Sequence, residues 1–342
     1  MAGHLASCKD YQSANNSRSA DCWNRDIAAV RYAPSGWYMK DHCFVLKNKK
    51  VHLFAPLGKV GTSWEDAGSE ETAEHMVSGD LVKWKHLGTA VAASNREGYF
   101  DKMMGGIAPE IIEHNGKYYM FYSGWTFHSK RPNFDFKDYC QSIGFAVSND
   151  LDHWEKPEEF AKEGLGVSGT DPSVVRDEVK NRWLMYTATN DILVFQSNDL
   201  FHWSQVGIAL SEKDLKGGTC SGNQAESPFV MKHPISGKWI IFLNGGYSVS
   251  DDPFRFPQIH PYSFKSGWRV PDGIKNSGNW GDGTNCKADD DGVGFAHEVL
   301  KFKDRWYMSG VVGKDGRFKL KFTPIEWTAD SFRLVQWNDA KY

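Results

Sequence analysis

The sequence contains five copies of one pattern, and this repeat restricts the available folds more than any other feature. In each copy an apolar pair is followed by a polar turn and then by an aromatic-rich apolar run. The copies are DHCFVLKNKKVHLFA from Asp41, APEIIEHNGKYYMFY from Ala108, DPSVVRDEVKNRWLMYT from Asp171, ESPFVMKHPISGKWIIFL from Glu226 and AHEVLKFKDRWYMSGV from Ala296. Their first residues are 67, 63, 55 and 70 positions apart. Internal repeats of this kind indicate a propeller or a solenoid.

A second motif recurs within the same period. The segments SGDLVKW, SNDLDHW and SNDLFHW end at Trp84, Trp154 and Trp203, and weaker versions begin at Ser250 and Thr328. Ser, Asn and Asp favour turns because their side chains bond to nearby backbone, and the Trp would begin an outer strand. Each repeat is therefore predicted to form one four-stranded blade.

The fold prediction is an all-β, five-bladed propeller with four-stranded antiparallel blades around a central channel. No long stretch has helical periodicity. Five blades account for nearly all of the 342 residues, so we expect one catalytic domain over 1–342, with about 1–22 as an N-terminal extension. A strand over Ile27–Tyr32 is expected to pair into the last blade and close the ring, which removes exposed sheet edges.

Composition excludes several classes of partner. The net charge is −3 and no basic run is present, so nucleic acid is not an expected partner. No apolar run approaches the ~18 residues of a membrane span. The first residues lack the apolar core of a signal peptide, which favours a cytoplasmic over a secreted protein.

The six cysteines lack CxxC spacing, so zinc is not expected, while thiols and disulfides both stay open. The oligomeric state is also open.

The position three residues before each apolar pair reads Asp, Ala, Asp, Glu, Ala. The first strand of a propeller blade lines the channel, so these positions should converge at one end of it. Asp41, Asp171 and Glu226 would then meet. Carboxylates held together raise one another's pKa values, and glycoside cleavage uses such a group: one carboxylate attacks or activates water while another donates a proton. An oligosaccharide or glycoside is the expected substrate.

Several segments resemble the five-bladed propeller glycosidases of glycoside hydrolase families 32, 43 and 68, from about Arg31 to Phe332. RYAPSGWYMKDHCFVLKNKKVHLF, HMVSGDLVKWKHLG, GTDPSVVRDEVKNRWLMY and AESPFVMKHPISGKWIIFL are similar to family 32, and APEIIEHNGKYYMFYSG to family 43. The resemblance implies that Asp41 is the nucleophile or general base and that Glu226 is the proton donor. It implies that Asp171 orients the substrate and tunes the pKa of the acid.

The sequence departs from family 32 beside each carboxylate. Thr170 replaces an Arg that holds fructose hydroxyls, Ser227 replaces a Cys, and Lys40 and His42 replace the Asn and Pro around the nucleophile. No C-terminal β-sandwich of the family 32 kind is expected. The resemblance therefore implies cleavage of a terminal furanosyl or pentosyl unit, either β-fructofuranosidase-like or α-L-arabinofuranosidase/β-xylosidase-like.

Further residues are predicted around the carboxylates. The substrate-binding candidates are Trp37, Trp64, Trp125, Thr170 and His297. The tryptophans could stack on sugar rings, and His297 lies one residue beyond the repeated position. Glu110 is out of that register and is predicted to be structural, and His75 has no assigned role. No cofactor is required; the loop Asp289–Gly292 is either a structural calcium site or a solvated acidic turn.

Two alternatives stay open. A glycoside phosphorylase would need cationic groups beside Asp41, for which the sequence offers Lys40, His42 and His297. A carbohydrate-binding propeller without activity would keep the scaffold, although the retention of all three carboxylates favours the hydrolase.

Overall fold

The computed structural model describes residues 26–63, 66, 68–102, 107–125, 142–211, 226–244, 246–262, 294–313 and 317–335. They form five antiparallel sheets. Blade one contains β1 (Trp37–Met39), β2 (Cys43–Lys47), β3 (Lys50–Lys59), β4 (Thr72–Ser78) and β5 (Trp84–Ala92). Blade two contains β6 (Glu110–His114), β7 (Lys117–Gly124) and β8 (Ser142–Ser148). Blade three contains β9 (Thr170–Asp177), β10 (Arg182–Ala188), β11 (Ile192–Ser197) and β12 (Ser204–Leu210). Blade four contains β13 (Phe229–Lys232), β14 (Trp239–Leu243), β15 (Gly246–Ser250) and β16 (His260–Pro261). Blade five contains β17 (Phe295–Phe302), β18 (Arg305–Val312), β19 (Lys319–Trp327) and β20 (Phe332–Leu334). The helix α1 spans Glu158–Ala161.

The predicted five-bladed propeller is confirmed, with two changes in strand number. Blade one has a fifth strand because β1 and β2 both pair with β3, one after the other along its length. The described part of blade two has three strands, and a single bridge between Val147 and Glu155 stands where its fourth strand was expected.

The second strand of each blade is buried on both faces. Successive side chains of a strand point to opposite sides, so neighbouring residues enter different inter-blade cores. Phe54 packs with blade two and Leu53 with blade five, while Phe121 packs with blade three and Tyr122 with blade one. Burial on both faces explains why these strands are continuous apolar runs in the sequence.

The repeated SxDLxxW motif forms one turn in three blades. The hydroxyl of Ser148 accepts the N–H of Leu151 at 2.8 Å, and Asp150 Oδ1 accepts two further N–H groups, at 2.9 and 2.8 Å. Leu151 has a φ of 74°, in the left-handed region, yet its side chain is fully buried. Trp154 Nε1 donates to the carbonyl of Leu151 at 2.9 Å. The expected turn is therefore present, and it fixes both a Leu in the core and a Trp on the outer side.

The expected N-terminal strand over Ile27–Tyr32 is wrong for most of its length. Residues 26–28 are helical, and Val30 N–H donates to the Ile27 carbonyl at 3.0 Å. Ile27 and Val30 are both buried at a spacing of three, which suits a helical turn. Only Tyr32 pairs with blade five, through two backbone hydrogen bonds with Leu320 at 2.9 and 2.8 Å.

In the described part of the chain, no helix is both long and apolar enough to cross a bilayer. Cys43 is the cysteine that these residues include; it is buried and free. The other five cysteines lie outside the described residues.

Candidate active site

The equivalent positions of the five repeats lie around one cavity. Asp41, Ala108 and Glu226 come just before β2, β6 and β13, and Asp171 and Ala296 are the second residues of β9 and β17. Four of these positions, Asp41, Ala108, Asp171 and Ala296, line the cavity, and in blade four the next residue, Ser227, lines it. Glu226, which precedes Ser227, is close enough for its charge to raise the pKa of Asp171. The structure thus brings together Asp41, Asp171 and Glu226 from blades one, three and four.

Asp171 is held by hydrogen bonds from two neighbouring blades. Its backbone N–H donates to the hydroxyl of Ser123 in blade two at 3.0 Å. Its Oδ2 accepts the backbone N–H of Ser227 in blade four at 3.1 Å, with the Ser227 hydroxyl at 3.5 Å. Asp171 and Ser227 both have a left-handed φ, 51° and 50°, which non-glycine residues rarely adopt and which is common at functional sites.

Glu226 is connected to blade five through Asn244. Asn244 Nδ2 donates to Glu226 Oε2 at 3.3 Å, and its Oδ1 accepts the backbone N–H of Ala296 at 2.7 Å. Asn244 is buried at the end of β14. A side chain fixed at both of its polar atoms orients the carboxyl group of Glu226 within the ring of blades.

The site disfavours negative charge. Burial raises the pKa of Asp41, and the charge of Asp171 raises it further. Burial also raises the pKa of Asp171, followed by the charge of Glu226, while the hydrogen bonds from Ser227 lower it. Lys40 lowers the pKa of both aspartates. Its Nζ lies 3.5 Å from Oε1 of Glu70, whose side chain is fully buried.

Two buried histidines face the cavity and are held by blade five. His42 Nε2 lies 2.7 Å from the Ser309 hydroxyl, and His297 Nδ1 lies 3.1 Å from the Ser309 carbonyl. Because that hydroxyl donates its one hydrogen to the Glu298 carbonyl, His42 donates to it. Burial lowers the pKa of His42 to about 3 and that of His297 to about 4, so both rings are neutral at pH 7.

A second acidic layer lies two residues deeper along the strands. Glu110 in β6 is buried, and burial raises its pKa. Burial and the charge of Glu110 raise the pKa of Glu298 in β17. The charges of both also raise the pKa of the Cys43 thiol, after burial itself. Glu298 lines the same cavity as Asp41 and Asp171, whereas Glu110 is not among its lining residues.

Of the predicted sugar-binding residues that the structure describes, His297 lines this cavity, whereas Trp37, Trp125 and Thr170 do not. Trp37 lines a separate cavity of about 500 Å³ beside Arg317 and Lys319. Trp125 is buried just after β7. The hydroxyl of Thr170 lies 3.5 Å from the Ala188 carbonyl. Trp64 lies outside the described residues.

The proposed calcium loop Asp289–Gly292 also lies outside the described residues. Within those that are described, no cluster of three or more His, Cys, Asp or Glu side chains could hold a metal ion.

Sequence reasoning missed the polar residues that tie one blade to the next. Ser123, Asn244 and Ser309 end the apolar runs MFYS, IFLN and YMS of the second strands. Each bonds to the following blade near its repeated position: to Asp171 N–H, to Ala296 N–H and to His42 Nε2. A polar residue within or directly after a strand buried on both faces was the available signal, because such a group needs a partner.

Fold and site together are those of a five-bladed propeller with carboxyl groups gathered at one end of its channel. Residues 67–192 match the model of glycosyl hydrolases family 43. A levanase from Bacillus sp. (strain L7) is 30% identical over 203 residues, which cover 50% of this chain and 20% of the levanase. An extracellular endo-α-(1→5)-L-arabinanase from Thermotoga petrophila is 25% identical over 171 residues, or 42% of this chain and 34% of the arabinanase. The chain therefore spans only 20% and 34% of the lengths of these two relatives.

Solved structures support the fold. A GH32 β-fructofuranosidase from Bombyx mori has a TM-score of 0.61 at 16% identity, covering 94% of this chain and 68% of the other. A glycosyl hydrolase from Bacteroides ovatus has a TM-score of 0.57 at 15% identity, covering 90% and 93%. The resemblance to the propeller glycosidases of families 32 and 43 is thus confirmed.

Proposed function

We propose that the protein is a glycoside hydrolase that removes a terminal furanosyl or pentosyl unit from an oligosaccharide or glycoside. The observation that carries the proposal is the meeting of Asp41, Asp171 and Glu226 at one end of the channel. Three carboxyl groups in one buried site disfavour full ionisation, and glycoside hydrolysis needs one such group protonated and another charged. The levanase and the endo-α-(1→5)-L-arabinanase among the relatives act, by their names, on levan and on α-(1→5)-L-arabinan, which supports a furanoside.

Each carboxyl group has a separate role in this proposal. Asp41 attacks the anomeric carbon, or activates the water that does so. Glu226, fixed by Asn244, protonates the leaving oxygen. Asp171, which accepts hydrogen bonds from Ser227, binds sugar hydroxyls and acts electrostatically on Glu226.

The phosphorylase alternative has less support. His42 and His297 are neutral because burial lowers their pKa values, and Lys40 is already paired with Glu70. A phosphate beside Asp41 would therefore lack the cluster of cations that its charge requires.

The proposal is tested with nitrophenyl furanosides and pyranosides, sucrose, levan and arabinan oligosaccharides. We expect wild-type turnover of a furanoside or pentoside. Asp41→Asn should lower kcat/KM about a thousandfold on every substrate. Glu226→Gln should cost as much on a natural oligosaccharide, but less on a nitrophenyl glycoside, whose leaving group needs little protonation.

Matched controls are Asp304→Asn and Glu113→Gln, which remove exposed carboxylates and should leave turnover unchanged. Binding of a sugar with no turnover on any substrate would instead support the carbohydrate-binding alternative. Dependence of turnover on added phosphate would support the phosphorylase.

A further inference from the structure

Lys40 directly precedes Asp41, and both its backbone and its side chain have defined contacts. Lys40 links β1 to Asp41, and its backbone N–H lies 3.5 Å from the Pro56 carbonyl on β3. Its side chain is 16% exposed, and Nζ lies 5.6 Å from the centroid of the Phe318 ring. The ammonium group is therefore packed between blade one and blade five at the rim of the carboxylate cavity.

The partner of Lys40 is a carboxylate that is otherwise costly to bury. The Glu70 side chain is 0% exposed, and its Oε1 lies 3.5 Å from Nζ of Lys40. Its N–H donates to the Leu57 carbonyl at 3.2 Å, and its φ is 54°. A charged group taken out of water and a left-handed φ at a non-glycine residue are each unfavourable. Their combination at one residue points to a role for the ion pair beyond stability.

That role follows from the charges facing Asp41. Asp171 lies across the cavity on β9, with Glu226 beyond it, and Glu70 lies behind Lys40; the charges of Asp171 and Glu70 raise the pKa of Asp41. The neighbouring rings of His42 and His297 are neutral. Lys40 lowers the pKa of Asp41 by more than Glu70 raises it, so the ion pair acts on Asp41 as a net positive charge.

We propose that Lys40 is a positioning residue of the active site, whose ammonium group, anchored on the buried carboxylate of Glu70, favours the charged form of Asp41 that attacks. This inference rests on the proposed hydrolase function. An ammonium group has three N–H donors, so pairing with one oxygen of Glu70 leaves donors for the aspartates. The pair thereby lowers the pKa of Asp41 relative to that of the proton donor. The reaction requires this difference, because one carboxyl group must be charged while the other is protonated.

The test compares the pH dependence of kcat/KM in wild type, Lys40→Met and Lys40→Arg. The acidic limb reports ionisation of Asp41. Loss of the cation should move this limb to higher pH by about one unit or more, as expected for a lost neighbouring charge. Lys40→Arg should restore the wild-type position. Lys50→Met, an exposed lysine at the other end of β3, should leave the limb in place.

Lys40→Met also leaves Glu70 buried without its partner, so it could fail to fold. The double variant Lys40→Met/Glu70→Gln removes both charges. Lys40 has a larger effect than Glu70 on the pKa of Asp41. The acidic limb of the double variant should therefore still move to higher pH, though by less than in the single variant. A uniform loss of activity with an unmoved limb in the folded variants would overturn the inference.

A second measurement separates this inference from the proposed function. Carboxyl ¹³C NMR titration of Asp-labelled protein, with the Asp41 resonance assigned by its loss in Asp41→Asn, measures the pKa directly and needs no turnover. If wild type hydrolysed nothing while Lys40→Met still raised the pKa of Asp41, the function would fail and the role of Lys40 would stand. If the enzyme were active but the Asp41 titration were unchanged in Lys40→Met, the proposed function would stand and the role of Lys40 would fail.

Discussion

Asn244 is the residue whose contacts most directly constrain the proposed proton donor. It holds Glu226 through Nδ2 and the start of blade five through Oδ1. Asn244→Ala should lower kcat/KM by about 10- to 100-fold, the equivalent of one hydrogen bond to a charged group. The loss should fall on kcat more than on KM, because the carboxyl group stays present but loses its orientation.

Steady-state kinetics of Asn244→Ala beside Asn149→Ala, an exposed asparagine at the other end of the propeller, checks this expectation. Thermal unfolding of both variants shows whether the fold persists. An unchanged kcat in a folded Asn244→Ala protein would contradict the role given to this side chain.

The carboxylates could be predicted to meet because the repeat places them in one register, whereas their supporting residues could not. Glu70 lies outside the repeated segments, in the connection between β3 and β4. Its pairing with Lys40 depends on how that connection folds back over blade one. Trp37 was predicted to stack on a sugar ring; it lines a cavity separate from the one beside the carboxylates, and the stacking stays a prediction. The position of a residue within the repeat can be inferred from one copy to the next, whereas the packing of the segments that connect the strands cannot.

The SxDLxxW turn is the element whose sequence pattern and structure agree most closely. In blade two the Ser148 hydroxyl accepts the N–H of the buried Leu151 at 2.8 Å. Ser148→Ala should leave that N–H without its partner and destabilise the protein by about 1–3 kcal/mol. Ser204→Ala, at an exposed serine that begins β12, should have little effect.

Urea denaturation of the two variants and wild type measures the difference in the free energy of unfolding. Equal midpoints for Ser148→Ala and wild type would show that the backbone, and not the hydroxyl, maintains the turn. The first element was less predictable: in Ile27–Tyr32 the buried pair Ile27 and Val30 has helical spacing, and only Tyr32 joins a sheet.

The propeller as a whole concentrates buried carboxyl groups along its channel. Asp41 and Asp171 lie at one end, with Glu110 and Glu298 deeper, and burial raises the pKa of each. No repeat-based argument predicted the lower pair, because Glu110 and Glu298 are ordinary strand residues until blades two and five meet around the channel. The consequence for the whole molecule is a stability that depends on pH.

The sign follows from proton binding. A carboxyl group whose folded pKa is raised binds a proton in the native state that the unfolded chain has already lost, so stability falls as pH rises from about 4.5 towards the folded value. Burial lowers the pKa values of His42 and His297, so below about pH 6.5 the unfolded chain binds more protons at these residues than the native state. In that range the two histidines make stability rise with pH. Above that pH the carboxyl groups dominate. The free energy of unfolding should therefore decline between pH 7 and 9, by up to about 1.4 kcal/mol per pH unit for each proton bound only in the native state.

Urea denaturation across this range should show a shallower decline for Glu110→Gln and Glu298→Gln, which keep the shape without the charge, and the wild-type decline for Glu113→Gln. Parallel curves for all four proteins would mean that the buried pair does not titrate with folding.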